Sequence, residues 1–209
     1  MNARSKILAL AFVFIAALGG IVASLHRQHG LTPLSSGSRL SPSQTLPDFT
    51  LIDGQGRAFG PTQLKGHWSI LFFGYTNCPD FCPTTLTTLA ALEKRLKVQG
   101  EKTLPQVVFI SVDAKRDTPA QLSRYVPYFD PSFVGLTAAN QQSIEAVAKK
   151  FNVPVIVNQP KEPGGNYTVD HAGYLFVVDP DGKMAAILTG PFKVDELASD
   201  WRKLISGAA

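Results

Sequence analysis

Sulfur is scarce in this chain. Two cysteines, Cys78 and Cys82, serve 209 residues, too few for the disulfide framework that holds very small secreted domains together. A core of this size does not need one. Charge is also sparse, at 17% against 44% hydrophobic residues, which excludes a disordered chain. Basic excess is missing from most of the sequence. Arg4, Lys6, Arg27 and Arg39 precede the first acidic residue, Asp48, and from residue 40 onward sixteen basic residues face sixteen acidic ones. The formal net charge of +4 therefore belongs to the N-terminal segment. No basic stripe with interleaved aromatics is present, so nucleic-acid binding is not expected. There is no internal repeat, no glycine-rich phosphate loop, no Ser-His-Asp signature and no peroxidatic Pro-x-x-x-Thr-x-x-Cys pattern.

The one long apolar run is "ILALAFVFIAALGGIVASL", residues 7–25, uncharged and preceded by Arg4 and Lys6. About 20 apolar residues span a bilayer as a helix, and the flanking charges orient the rest of the chain away from the cytoplasm. Residues 1–25 thus read as a membrane anchor. The competing reading is a cleaved signal peptide, with Val22-Ala23-Ser24 as the small-residue site. No cysteine lies there, so lipid attachment is excluded. In a bacterial chain, either reading exports the domain to the periplasm. The anchor reading makes it a single-pass inner-membrane protein. Residues 26–45, rich in Ser, Pro and Gly, are expected as a flexible linker. His26 and His29 within it read as solvated.

The domain is expected over residues 46–206. "FTLIDGQGRAF", 49–59, breaks at Asp53-Gly54 like a hairpin. "WSILFFGY" (68–75), "VVFISV" (107–112) and "YLFVVD" (174–179) are continuous apolar runs, as in buried central strands. "VPVIV", 153–157, predicts a short strand. Leu86, Leu89, Leu92 and Leu96 share one helical face. Thr118 and Pro119 read as an N-cap followed by a first-turn proline. Ile144, Val147, Ala148 and Phe151 mark another helix. Val194, Leu197, Ala198, Trp201 and Ile205 mark the last, with Asp195 and Glu196 in its first turn, where the helix dipole favours acids. Pro180-Asp181-Gly182 turns the third run into "MAAILTG", 184–190. The order predicts an α/β, thioredoxin-like fold with an extra N-terminal β-hairpin.

In that order Cys78 and Cys82 fall between the first central strand and its helix. Three readings are open. A structural staple would close about five residues, worth only about 2 kcal/mol. A redox pair is favoured by the helix N-terminus, which lowers thiol pKa values. Three intervening residues, one more than the usual redox spacing, place the sulfurs nearly one helical turn apart on the same side. That splay also admits a metal ion, and soft thiolates select copper or zinc. His67 precedes the first central strand, at the opposite end from Cys78, and reads as solvated. His171, just before the third central strand, is brought beside the cysteine turn and is the candidate third ligand. The polar loop 158–170 is expected to leave it partly mobile.

"GYTNCPDFCPTTL", "ISVDAKRDTP", "FVGLT" and "YTVDHAGYLFVVDPDGK" together resemble the Sco/SenC proteins, copper-binding assembly factors of cytochrome c oxidase. The resemblance runs from about Leu46 to Ile205. It implies a thioredoxin-like fold binding one copper ion, as Cu(I) or Cu(II), through Cys78, Cys82 and His171. It also implies a metallochaperone for the binuclear copper site of oxidase subunit II, monomeric, membrane-anchored and supplied by an upstream copper donor. The alternative it implies is a thiol-disulfide oxidoreductase that reduces the oxidase cysteines, with Cys78 and Cys82 as the redox pair. Many relatives have histidine where this chain has Asn77 and proline where it has Ala114. Asp113, Asp117 and Asp170 are candidates to supply an oxygen to Cu(II) or to orient His171.

Overall fold

The continuous apolar runs form the centre of one sheet. In the computed structural model, which describes residues 33–160 and 165–207, they are β4 (Ser69–Gly74), β5 (Gln106–Ser111) and β9 (Tyr174–Val178). Phe72 of β4 sits opposite Phe109 of β5 and Leu175 of β9. All six residues of β4 are buried, because successive side chains meet packed layers on opposite faces. Phe72 joins Phe109 and Phe81 on one face, with ring centroids 5.9 and 6.1 Å apart. Phe73 joins Phe151 and Phe176 on the other, at 5.3 and 5.9 Å.

Five further strands complete the sheet: β1 (Gly37–Thr45), β2 (Leu51–Asp53), β3 (Ala58–Phe59), β6 (Val134–Thr137) and β10 (Lys183–Thr189). Their order is β1-β10-β9-β4-β5-β6-β2-β3. β4, β5 and β6 run parallel, joined by helical crossovers as parallel strands require. The other pairings are antiparallel. Helix α1 (Phe81–Val98) links β4 to β5 and buries Leu86, Leu89, Leu92 and Leu96, as their spacing predicts. Helix α2 (Pro119–Tyr125) links β5 to β6. It starts at Thr118, whose hydroxyl accepts the Gln121 N–H at 3.2 Å. Helix α3 (Gln141–Lys150) buries Ile144, Val147 and Ala148. Helix α4 (Val194–Ser206) packs beside α1 and buries Leu197, Ala198, Trp201 and Leu204. This is the expected α/β arrangement, with the β2–β3 hairpin attached to β6.

The structure departs from expectation in three places. The second half of the expected linker is strand β1, paired with β10 from Gly37↔Leu188 to Thr45↔Lys183 around a bulge between Arg39 and Gln44. Pro42 is tolerated because an edge strand needs only one ladder. The carboxylate of Asp200, buried on α4, holds the start of this segment. It accepts the Ser35 N–H at 2.8 and 2.9 Å and the Ser36 N–H at 2.7 Å. Second, β6 adds a strand between α2 and α3. Third, part of the expected loop before His171 is ordered. Thr168–His171 forms β8, antiparallel to β7 (Val155–Asn158), with Val155 opposite His171 and Val157 opposite Val169. This ribbon is a sheet of its own. The apolar run 7–25, His26 and His29 lie outside the described residues. No helix among the described residues is long and apolar enough to cross a membrane.

The Asp200 clamp has a measurable consequence. Asp200→Ala leaves two backbone donors without their charged acceptor, a loss of about 2–3 kcal/mol. Urea unfolding should show a lower midpoint at unchanged slope, and hydrogen exchange should show β1 amides losing protection before β4 and β5. Unchanged stability would mean that solvent replaces the carboxylate at no cost.

Candidate metal centre

The site begins with a close approach. A Cβ on Gly74, the last residue of β4, would lie 3.0 Å from Cys82 Sγ and 2.6 Å from the Phe109 ring. Only glycine lets the first turn of α1 sit against the strand end. Between them the chain turns, with the Cys78 N–H donating to the Tyr75 carbonyl at 3.2 Å. The turn is fixed from below by Asp117, which is fully buried. Its carboxylate accepts the Thr76 N–H at 2.9 Å, the Thr76 hydroxyl at 2.6 Å and the Ser111 hydroxyl at 2.6 Å. Burial pushes the Asp117 carboxyl pKa up, against the lowering effect of these donors.

Cys82 is fully buried in the first turn of α1, Cys78 is partly exposed above it, and both are free thiols. The Cys82 backbone N–H donates to Cys78 Sγ at 3.3 Å, so the sulfur lies at the positive end of the helix. The two side chains share one proton. A hydrogen bond from the Cys82 thiol, opposed by burial and aided by His171 and the N–H groups of Cys82 and Asp80, lowers the Cys78 pKa to about 4. Donation to Cys78, burial and the neighbouring negative charge push Cys82 far up. Cys78 is the standing thiolate, and Cys82 keeps the proton until something replaces it.

His171 closes the group from the other side of the sequence. Its Nε2 lies 3.6 Å from Cys82 Sγ. Its Nδ1 lies 3.2 Å from the Ala172 carbonyl. A carbonyl only accepts, so Nδ1 carries the proton in that contact, and Nε2 is the ring nitrogen turned toward the sulfurs. Phe72, Tyr75 and Phe81 surround the imidazole, with ring centroids 6.4, 6.1 and 6.3 Å away. Phe81 also explains Gly173, where a Cβ would lie 2.4 Å from its ring. The donors are gathered but not drawn in to bonding distance. Among the described residues, no group of three His, Cys, Asp or Glu has the geometry of a bound ion.

The three aspartates, candidates to supply an oxygen to Cu(II) or to orient His171, make no hydrogen bond to the imidazole, whose polar neighbours are Cys82 Sγ and the Ala172 carbonyl. Asp117 holds the cysteine turn. Asp113 is buried and accepts the Tyr167 hydroxyl at 2.7 Å and the Arg116 Nε–H. Asp170 is exposed on β8, where alternation turns it away from the face of His171. The Ala172 carbonyl does the orienting instead. Asn77 is exposed. The Ala114 N–H, which a proline would lack, donates to Gln141 Oε1 at 3.0 Å. His67 is exposed at the start of β4, far from the cysteines, as expected. Sequence reasoning missed Tyr75, Phe81, Arg116 and Tyr167, which carry no ligand signature.

Comparison with known proteins places this geometry in context. The SCO1/SenC family model matches residues 38–206. An SCO2-like protein of Rickettsia felis is 40% identical over 136 residues, 65% of each chain, so the match spans just under two thirds of that relative's length. The copper-bound crystal structure of Arabidopsis thaliana ScoI is 34% identical, with a TM-score of 0.71, covering 77% of this chain and 97% of that one. BsSco, described as having a disulfide switch and as a member of the Sco family of cytochrome c oxidase assembly proteins, is 26% identical. Its TM-score is 0.61, covering 81% of this chain and 96% of that one.

The shared proton predicts unequal thiols. Iodoacetamide should alkylate Cys78 at a rate nearly constant from pH 6 to pH 8, because its thiolate is already fully formed, and should spare Cys82. Cys82→Ala removes the main stabilising donor, so the rate should then climb about tenfold per pH unit toward the ordinary thiol range. Mass spectrometry of quenched samples reads both. A tenfold rise per unit in the unsubstituted protein would contradict the assignment.

Proposed function

The chain belongs to the SCO1/SenC family, and from that premise we propose that it is a copper carrier, with Cys78, Cys82 and His171 as the ligands. The observation that carries the reading is the convergence of Cys82 Sγ and His171 Nε2, 89 residues apart in sequence and 3.6 Å apart in space, beside the Cys78 thiolate. Copper arrives as cargo. As it binds, Cys82 gives up its proton, and the ion takes its place between the sulfurs. Two thiolates and a neutral imidazole give Cu(I) a soft three-coordinate site of net charge −1. The same set is neutral with Cu(II), which adds an oxygen donor in its preferred tetragonal geometry. Asp113 and Asp117 are committed elsewhere and Asp170 is turned away on β8, so that oxygen comes from solvent or from a partner.

Delivery goes to the binuclear copper site of cytochrome c oxidase subunit II. The chain's similarity to BsSco, a member of the Sco family of cytochrome c oxidase assembly proteins, and to copper-bound ScoI supports this reading. The apolar run 7–25 anchors the protein in the inner membrane, with a monomeric domain in the periplasm receiving copper from an upstream donor.

A second reading rests on the unequal thiols. An accessible thiolate above a buried thiol is also the arrangement of a dithiol reductase. Cys78 would attack a partner disulfide and Cys82 would resolve the mixed disulfide. This would leave a Cys78–Cys82 disulfide and a reduced partner. That exchange does not require an imidazole, whereas the copper site uses it as a ligand, which favours the copper reading.

His171→Ala separates the two. Cu(I), held by two sulfurs, should still bind, within about tenfold of the original affinity. Cu(II) should lose about a hundredfold or more, and its thiolate charge-transfer absorption should shift or vanish. Prior oxidation to the disulfide should abolish binding of both ions. Titration of reduced and oxidised protein reads these outcomes, with oxidase activity measured in cells carrying the variant. Unchanged Cu(II) affinity would remove His171 from the site. Normal oxidase assembly despite lost copper binding would favour the reductase.

A further inference from the structure

The imidazole proposed as a ligand stands on a ribbon that, among the described residues, shares no strand pairing with the main sheet. Among the described residues β7 and β8 pair only with each other, a two-stranded ribbon alone is marginal in water, and Val169 is the one residue of β8 buried in the core. On its C-terminal side, His171 is three residues from Tyr174, where β9 joins the central sheet. On its N-terminal side, the chain meets one concentrated set of contacts at Tyr167. The Arg116 guanidinium lies 3.6 Å over the Tyr167 ring and donates to the Tyr167 carbonyl at 3.0 Å. Arg116 Nε–H also donates to Asp113, and the Tyr167 hydroxyl donates to the same carboxylate at 2.7 Å. Asp113 is almost fully buried and Arg116 is mostly covered, with 2% and 19% of their side chains exposed. The same guanidinium lies 5.6 Å from the Tyr75 ring, which in turn packs on His171.

We propose that Arg116, Asp113 and Tyr167 form a latch that positions the His171 arm and thereby sets the preference of the site for Cu(II) over Cu(I). The inference rests on the copper reading. With the latch closed, β8 is held at both ends and the imidazole stays against the sulfurs. With it open, the arm hinges at Ala172-Gly173, and copper keeps only its two thiolates. Cu(I) tolerates that loss; Cu(II), which needs nitrogen and oxygen donors, does not. Arg116 and Tyr167 are therefore positioning residues. They touch no ligand atom and act through the strand. Arginine is specific here, since a planar group is needed to stack on the ring and to donate in two directions at once.

The test uses the full chain with Arg116→Lys, Tyr167→Phe and Tyr167→Ala. Hydrogen exchange on the copper-free protein reads the latch directly. Residues 167–171 should exchange about tenfold faster in Arg116→Lys and Tyr167→Ala, with β4 and β5 unchanged. Tyr167→Phe, which keeps the stack and loses the hydroxyl, should change less. In copper titrations, Arg116→Lys and Tyr167→Ala should weaken Cu(II) about tenfold or more. The same variants should leave Cu(I) within about threefold. The thiolate charge-transfer band should move toward that of His171→Ala. Tyr167→Phe is the measurement to rely on should the larger changes unfold the protein. Unchanged exchange at 167–171 would overturn the latch, as would equal loss of both ions. If the unsubstituted chain binds neither ion at one per chain, the copper reading fails, and exchange alone then decides whether the arm is latched.

Discussion

The site depends on one close contact, the first turn of α1 pressed against the end of β4. Gly74 makes it possible by having no side chain where Cys82 Sγ and the Phe109 ring already stand. The contact buries Cys82 while its backbone N–H still reaches Cys78 Sγ. From that geometry follows the division between the two thiols. One sulfur receives the helix N–H groups and the shared proton's hydrogen bond and stays ionised. The other is sealed from water and stays neutral. The arrangement stores a replaceable proton between two soft donors, and a soft cation can take its place.

The carboxylates nearby do a different job from the one their positions in the sequence suggest. A buried aspartate must satisfy its oxygens within the protein or give up its charge. Asp117 spends its oxygens on Thr76 and Ser111, and so fixes the turn that carries Cys78. Asp113 spends its oxygens on Arg116 and Tyr167, and so fixes the approach to His171. The cysteine turn and the approach to His171 thus each have their own buried carboxylate anchor. The atoms that converge between them are left to sulfur and nitrogen, the kind of donor set that suits copper better than the hard divalent cations.

How far the sequence revealed this depended on how local each signal was. The strands β4, β5 and β9 were legible because burial on both faces demands unbroken apolar runs. The helix faces were legible through Leu86, Leu89, Leu92 and Leu96. Cys78, Cys82 and His171 could be grouped because strand order brings their segments to one end of the sheet. Strand β1 was not legible. Its residues are exposed or half-buried throughout, and what holds it is a carboxylate 165 positions away. Strand β8 showed only one buried residue, Val169, too little for a periodic pattern. The Arg116–Tyr167 contact spans 51 positions and joins residue types that are ordinary on any surface.

The register of β1 bears on how such a site would be presented. Gly37 pairs with Leu188, Leu188 with Leu175, and Leu175 with Phe72. The chain therefore enters the sheet in the row two residues below Gly74, at the end that carries the cysteines. Three strand spacings separate it from β4, about 14 Å. The Asp200 carboxylate on the last helix holds the Ser35 and Ser36 N–H groups just before that entry. The strand that looks least like part of the fold is thus fixed, at its start, at the same end of the sheet as the cysteine turn.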